Sequence, residues 1–218
     1  MALAIFDLDH TLLNGDSDHA WGQYLVDRQL VAAEEHQRRN DEFYQQYQAG
    51  TLDIDAYLAF ALEPLTRYPR AVMEAEREQF LQQRILPMIS AKSRELIAEH
   101  QQRGDRLLII TATNGFVTYP IAEMLGIADI IAPQPELAGN DYTGRIVGIP
   151  SFQQGKVTRL QQWLEQHQLT LKGSYFYSDS HNDLPLLREV EHPVAVDPDP
   201  TLLQVAQQQG WKIISLRD

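Results

Sequence analysis

Four aspartates, a threonine and a lysine stand in this chain where chemistry is possible. Asp7 and Asp9 lie two residues apart at the end of the apolar run "LAIFDLD", and Thr111 directly follows "RLLII". Lys156 opens a helical pattern in "FQQGKVTRL", and Asp179 and Asp183 come after the run that begins "SYFYS". On a strand, residues i and i+2 point to the same side, so Asp7 and Asp9 are expected to crowd two like charges unless a cation lies between them or one carboxyl is protonated. Singly, each residue has an ordinary reading: a threonine at a strand end caps the next helix, a lysine opening a helix is solvated, and "SDSHND" is a capping loop. Together, at the carboxyl edge of one sheet, they fit phosphoryl transfer through an aspartyl-phosphate. Oxygen-only donors select a hard cation, and Mg²⁺ takes one or two carboxylates, waters and a phosphate oxygen. One carboxylate of the pair can attack phosphorus while the other gives a proton to the leaving alcohol and later takes one from water. Thr111 and Lys156 are then expected to hold the remaining phosphoryl oxygens.

Such a site needs strands that end side by side. The apolar runs from Leu3, up to Thr111 and from Ser174 read as strands, with weaker ones in "DIIAP", "HPVAVD" and "KIISL". Helical patterns lie between them: "AKSRELIAEHQQRG", "FVTYPIAEMLG" and "KVTRLQQWLEQH". This alternation predicts an α/β fold with a doubly wound parallel sheet. The Gly-Asn-Asp centre of "ELAGNDYTGRIVG" predicts a β-hairpin hung on that core. Residues 14–87 break the alternation with helical spacing and no convincing strand, so a helical cap is expected there, with core segments 1–13 and 88–218. Phe43, Tyr47, Tyr57, Phe60 and Ala61 are its candidate apolar stripes. An insert at the carboxyl end of the first strand would overhang the crevice where open α/β sheets bind ligands.

Bulk properties narrow the partners. The 218 residues carry a net charge of −12, which argues against nucleic acid or an anionic membrane surface as partner. With no cysteine, disulfides, thiolate metal sites and a cysteine nucleophile are excluded. "MALAIFDLD" has no charged leader segment and no apolar run approaches a membrane span, so a cytoplasmic protein is expected, monomer or homodimer, acting on a small phosphorylated metabolite.

In order along the chain, "FDLDHT", Thr111, Lys156 and "DSHND" resemble the four motifs of the haloacid dehalogenase-like (HAD) hydrolases, and the helical insert is similar to the cap of their phosphoserine phosphatase-like branch. The resemblance implies a HAD Rossmann-like core, Asp7 as nucleophile and Asp9 as general acid and base. It also implies substrate or phosphate contacts from Asp16, Thr111, Ala112, Thr113, Lys156 and Asn182, and Mg²⁺ at Asp7, Asp9 (through its backbone carbonyl), Asp179 and Asp183. The second aspartate of the pair favours phosphate over halide. Receiver domains gather similar groups, but their acceptor ends the third strand of a shorter, capless domain.

Specificity is expected in the insert. Asp16 stands where phosphoserine phosphatases place an acid for the substrate ammonium, with Asp18 and His19 beside it. No basic residue occurs from Thr51 through Thr66, where that branch carries an arginine for the substrate carboxylate. Arg38, Arg39 and Arg67 are expected to be solvated, and Tyr57 and Phe60 are candidates to stack on a ring. An amino-alcohol phosphate fits, and "GDSDHAW", "ITATNGFVT" and "YFYSDSHNDLPLL" resemble the HAD-type histidinol-phosphate phosphatases, with hydrolysis of phosphoserine or a phosphoserine-type phosphotransfer the alternative.

Overall fold

The computed structural model describes residues 2–217. Its strands are β1 (Leu3–Phe6), β2 (Arg106–Ile110), β3 (Asp129–Ile131), β4 (Gln134–Ala138), β5 (Asp141–Val147), β6 (Tyr175–Ser178), β7 (His192–Val196) and β8 (Lys212–Ile214). Its helices are α1 (Ser17–Asp27), α2 (Ala33–Gln48), α3 (Ile54–Leu62), α4 (Arg70–Phe80), α5 (Ala91–Gln102), α6 (Gly115–Met124), α7 (Gln154–His167), α8 (Leu184–Leu187) and α9 (Pro200–Gln209). Six strands form one parallel sheet in the order β3-β2-β1-β6-β7-β8. The expected doubly wound α/β fold is present. The strand order reverses direction between β1 and β6, and a crevice opens at the carboxyl ends there.

The runs become sheet strands because both of their faces are buried. Ala4 and Phe6 pack in one apolar cluster with Ile109 and Tyr177, while Leu3 and Ile5 pack in the other with Leu108, Ile110 and Phe176. The alternation is the two-residue period of a strand, and a strand covered on both sides reads as continuous apolar sequence. β4 and β5 pair as the expected antiparallel hairpin, with a register shift between Pro135 and Leu137.

Between β1 and β2 the chain runs through α1 to α5. Asp16 caps α1, accepting from the backbone N–H groups of Asp18 and His19 at 2.9 and 2.7 Å, and Asp53 caps α3 in the same way. Phe43 packs edge-on to Tyr57 and tilted against Phe60, as the aromatic stripes predict. Tyr47 departs from that stripe and packs 6.2 Å from Phe152, after β5. The helices do not bury a separate core: Trp21, Tyr24, Leu62, Met73 and Phe80 share one cluster with Phe6 and Ile109 of the sheet. The chain leaves β1 and returns toward α5 along one seam, where Leu13 bridges Ile89 and Asn14 N–H donates to Met88 O at 2.7 Å.

Candidate active site

β1 stops at Phe6, and the backbone beyond it overturns the simplest expectation for the carboxylate pair. In a wide turn over Leu8–Leu12, a helical Leu8 separates Asp7 (φ −68°, ψ 163°) from Asp9 (φ −71°, ψ 137°), both extended, so the two are not neighbours on a strand face. They take different partners. The Asp7 carboxylate accepts from Lys156 Nζ at 2.7 Å, whereas Asp9 accepts from Ser17 N–H at 2.6 Å and from the Thr113 hydroxyl at 2.8 Å. The backbone turn gives the two carboxylates separate partners.

Lys156 is buried to 2% exposure, unlike the solvated lysine its place in the sequence suggests. Its helix begins tight against the preceding loop: a Cβ at Gly155 would lie 2.1 Å from the Pro150 carbonyl oxygen, so only glycine lets α7 start there. Lys156 then reaches both Asp7 and Asp183, the latter at 2.8 Å. Ser178, at the end of β6, donates to Asp183 at 2.7 Å. Thr11 donates its hydroxyl to Asp179 at 3.0 Å and accepts from the Asp179 backbone N–H at 3.1 Å. Sequence alone assigns no role to Ser178, Thr11 or Ser17, because a hydroxyl at a strand or helix end looks like any cap.

Burial pushes the Asp7 carboxyl up to about 7, against the pull of Lys156 and with the charge of Asp183 adding to the rise. Burial, then the charges of Asp7 and Asp183, hold Asp179 well above the usual carboxylate range. Burial and the Asp16 charge push Asp9 up to about 6, opposed by its bonds to Ser17 and Thr113. Burial pulls the Lys156 ammonium down, but Asp183 and Asp7 outweigh it and hold its pKa above the usual lysine value. Two buried carboxylates, Asp7 and Asp183, thus share one ammonium, with the half-buried Asp179 near enough to feel both charges, an excess that a further cation would offset. The four aspartates expected at a metal do not form one ligand set, however. Both oxygens of Asp9 and the carboxylate of Asp183 are taken by donors, and among the described residues no three acidic or imidazole groups converge as metal ligands. Asp7, Asp179 and the Asp9 backbone carbonyl remain. That sparse, all-oxygen set fits Mg²⁺, which keeps several waters and takes one or two carboxylates.

Over Asp7 lies a cleft of about 520 Å³ including its mouth, walled by Asp9, Asp16, Thr111, Ala112 and Thr113 on one side and by His19, Asn40, Phe43, Tyr44, Tyr47, Leu52 and Tyr57 on the other. Asp16 combines its capping role with a place in this wall: both capping bonds fall on Oδ1, leaving Oδ2 to the cleft. Thr111 likewise accepts from Thr113 N–H at 3.1 Å while lining the cleft. Asn182, expected at the phosphate, is not among the residues that line this cleft. It accepts from Gln153 at 3.0 Å and donates to the Tyr47 carbonyl at 3.0 Å, so its amide joins the β6 edge to α2. Phe60 faces a different groove and stacks 4.6 Å from His36, and Arg39 lies 5.0 Å from its ring centre. Of the expected ring-stacking pair only Tyr57 lines the cleft. Arg38 and Arg67 pair with Glu42 and Glu63 at the surface.

A family model described as haloacid dehalogenase-like hydrolase matches residues 4–188 of this chain. A histidinol-phosphatase of Neisseria meningitidis serogroup C is 48% identical over 220 residues, covering 99% of each chain. A phosphoserine phosphatase of Mycobacterium tuberculosis is 30% identical, over 99% of this chain and 71% of that one. Among solved structures, a protein of unknown function from Bordetella pertussis Tohama I superposes with a TM-score of 0.93 at 41% identity, covering 99% of both chains. A substrate-bound phosphoserine phosphatase, at 18% identity and a TM-score of 0.71 over 99% of this chain and 93% of that one, shares the fold.

Proposed function

The chain belongs to the haloacid dehalogenase-like hydrolases and is a phosphoric monoester hydrolase, and from that premise we propose that it hydrolyses histidinol phosphate in histidine biosynthesis. The carrying observation is the wall of the cleft. It presents the carboxylate of Asp16 and several aromatic rings, with no lysine or arginine among the residues that line it. An ammonium finds a partner there and a substrate carboxylate does not. The similarity to the Neisseria histidinol-phosphatase supports the same substrate.

In this reading a carboxylate oxygen of Asp7 attacks phosphorus, forming the aspartyl-phosphate as the P–O bond to the alcohol breaks. Asp9, in its protonated form, gives its proton to the departing oxygen. Water then attacks phosphorus, Asp9 takes the proton, and the bond to Asp7 breaks to release phosphate. A carboxyl held near 6 by burial and by Asp16 suits a group that must give and retake a proton near neutral pH. The Thr111 hydroxyl and the Lys156 ammonium bind the phosphoryl oxygens. Mg²⁺ held by Asp7, Asp179 and the Asp9 carbonyl would supply charge neutralisation at the phosphoryl group. Residues 14–87 act as a cap over a core of 1–13 and 88–218, a division supported by the seam between Leu13 and Ile89. No helix among the described residues is long and apolar enough to cross a membrane, and a small-metabolite phosphatase of this kind belongs in the cytoplasm.

A substrate panel at fixed Mg²⁺ tests the assignment. Histidinol phosphate should exceed phosphoserine in kcat/KM by roughly tenfold or more, the worth of about 1.5 kcal/mol from a contact to a charged group, with phosphoethanolamine between them. A preference for phosphoserine would overturn it.

A further inference from the structure

Asn40 occupies a place in the cleft wall that neither the catalytic residues nor the amine site explains. It projects from α2 onto α1 at Gly22, where a Cβ would lie 2.6 Å from the Asn40 amide nitrogen. Any residue but glycine at 22 would displace the amide, so the two helices approach closely enough to seat a polar group among aromatic rings. Its nitrogen donates to the His19 backbone carbonyl at 3.0 Å and lies 3.2 Å from His19 Nδ1, to which it donates when that ring carries its proton on Nε2. A backbone carbonyl only accepts, which fixes the end of the amide that carries hydrogens. In the Nε2–H tautomer of His19 both hydrogens are committed to that residue.

The amide oxygen is what remains. Asn40 Oδ1 accepts no hydrogen bond among the described residues, and unlike Asp18 Oδ2 it is not a sealed, unpartnered atom of the interior. Asn40 lines both this cleft and the hollow beside Asp18, Trp21 and Gly22, so its free oxygen is an acceptor, without a donor, at the border of the two. Its neighbours in the wall are Phe43, Tyr44 and Tyr57. An acceptor among ring faces matches a planar heteroaromatic ring that carries an N–H.

We propose that Asn40 determines specificity by accepting the ring N–H of the substrate, with Tyr44 and Tyr57 flanking the ring while Asp16 takes the ammonium. This rests on the histidinol phosphate reading and adds the residue that reads the ring. His19 is the positioning residue that orients the amide.

The first test uses the unaltered protein and two N-methylated forms of histidinol phosphate, one for each ring nitrogen. One isomer should lose roughly tenfold in kcat/KM, because it lacks the hydrogen that Asn40 accepts, while the other loses less. Asn40→Ala should lower the ratio of kcat/KM for histidinol phosphate over phosphoethanolamine, which has the amine but no ring, by a similar factor, and should abolish discrimination between the isomers. Gly22→Ala should shift the ratio in the same direction. Calorimetric binding of histidinol, the phosphate-free product, should weaken in both variants. If the unaltered protein shows no preference for histidinol phosphate over phosphoethanolamine, the substrate reading fails and this inference with it. If that preference holds but both methyl isomers react like the parent, or the ratio is unmoved in Asn40→Ala, the inference alone is overturned.

Discussion

Asp9 shows how one side chain acquires a role from its donors. Its two oxygens are held by a main-chain N–H from α1 and a hydroxyl from the loop after β2, so the carboxyl cannot swing toward Asp7. This fixed direction and a pKa raised to about 6, by burial first and the charge of Asp16 second, separate the proton carrier from the nucleophile. Asp7 instead lies against an ammonium that cannot accept a proton from substrate. Asp7→Asn should keep the fold and reduce phosphate release below a few per cent, since the nearly isosteric amide cannot attack phosphorus. Asp9→Asn should cost about 10² to 10⁴-fold on an alkyl phosphate, the usual range for a general acid. On p-nitrophenyl phosphate the loss in the first chemical step, read as the burst of nitrophenolate, should be at least about tenfold smaller, because that leaving group needs little protonation. Equal losses on both esters would remove Asp9 from the acid role.

At the scale of elements, the strands were legible because each apolar run is covered on both faces, and their order along the chain placed Asp7, Thr111 and Asp179 at one sheet edge. The hairpin was legible from its turn residues. What local sequence does not encode is the choice of partner over long separations: Lys156 meets Asp7 across 149 residues, and Asn182 meets Tyr47 across 135. The split of Asp7 from Asp9 depended on a helical Leu8 between two extended aspartates, a conformation that sequence spacing does not announce. Which of Tyr57 and Phe60 meets the cleft was illegible for a related reason, since a helix with apolar groups on several sides does not declare which one faces it. One junction between elements makes a stability prediction. Asp105, between α5 and β2, accepts from Ala2 N–H at 3.0 Å and pairs with His100 Nδ1 at 2.9 Å, while His100 Nε2 meets the Tyr177 hydroxyl at 2.8 Å. Burial pushes the Asp105 carboxyl up, but the bonds from His100 and Ala2 outweigh it and hold it below the usual range. A carboxyl lowered by folding stabilises the protein above its unfolded pKa of about 3.9, and that contribution is lost as pH falls through the folded value. Asp105→Asn should therefore cost about 1.5 to 3 kcal/mol near pH 6, by denaturant unfolding, with the difference shrinking below about pH 3.5. A difference independent of pH would mean that the charge of Asp105 contributes nothing.

Across the whole molecule the charge is −12, and part of that excess is withdrawn from solvent at the carboxyl edge of the sheet, where Asp7 and Asp183 are buried and Asp179 is half-buried. Lys156 offsets one carboxylate of that set, and the raised Asp7 and Asp179 carboxyls show the remainder working against the fold. A cation that binds only the folded chain should relieve this, stabilising by RT ln(1 + [L]/Kd). At about 100 times Kd the gain is roughly 2.7 kcal/mol, which for a domain of this size corresponds to about 5 to 10 °C in Tm. Thermal unfolding should accordingly shift upward by that amount when Mg²⁺ is added to chelator-treated protein and return when chelator is restored. Asp179→Ala removes one donor while leaving Asp7 paired to Lys156. Its Mg²⁺-dependent shift should fall to a small fraction of the parent's, and its Tm without metal should be no lower than the parent's, because one of the crowded carboxylates is gone. A parent chain whose Tm ignores Mg²⁺ would exclude this edge as a cation site. A full shift retained in Asp179→Ala would move the donor elsewhere, with the carboxylate of Asp183, freed from Lys156, the next in line.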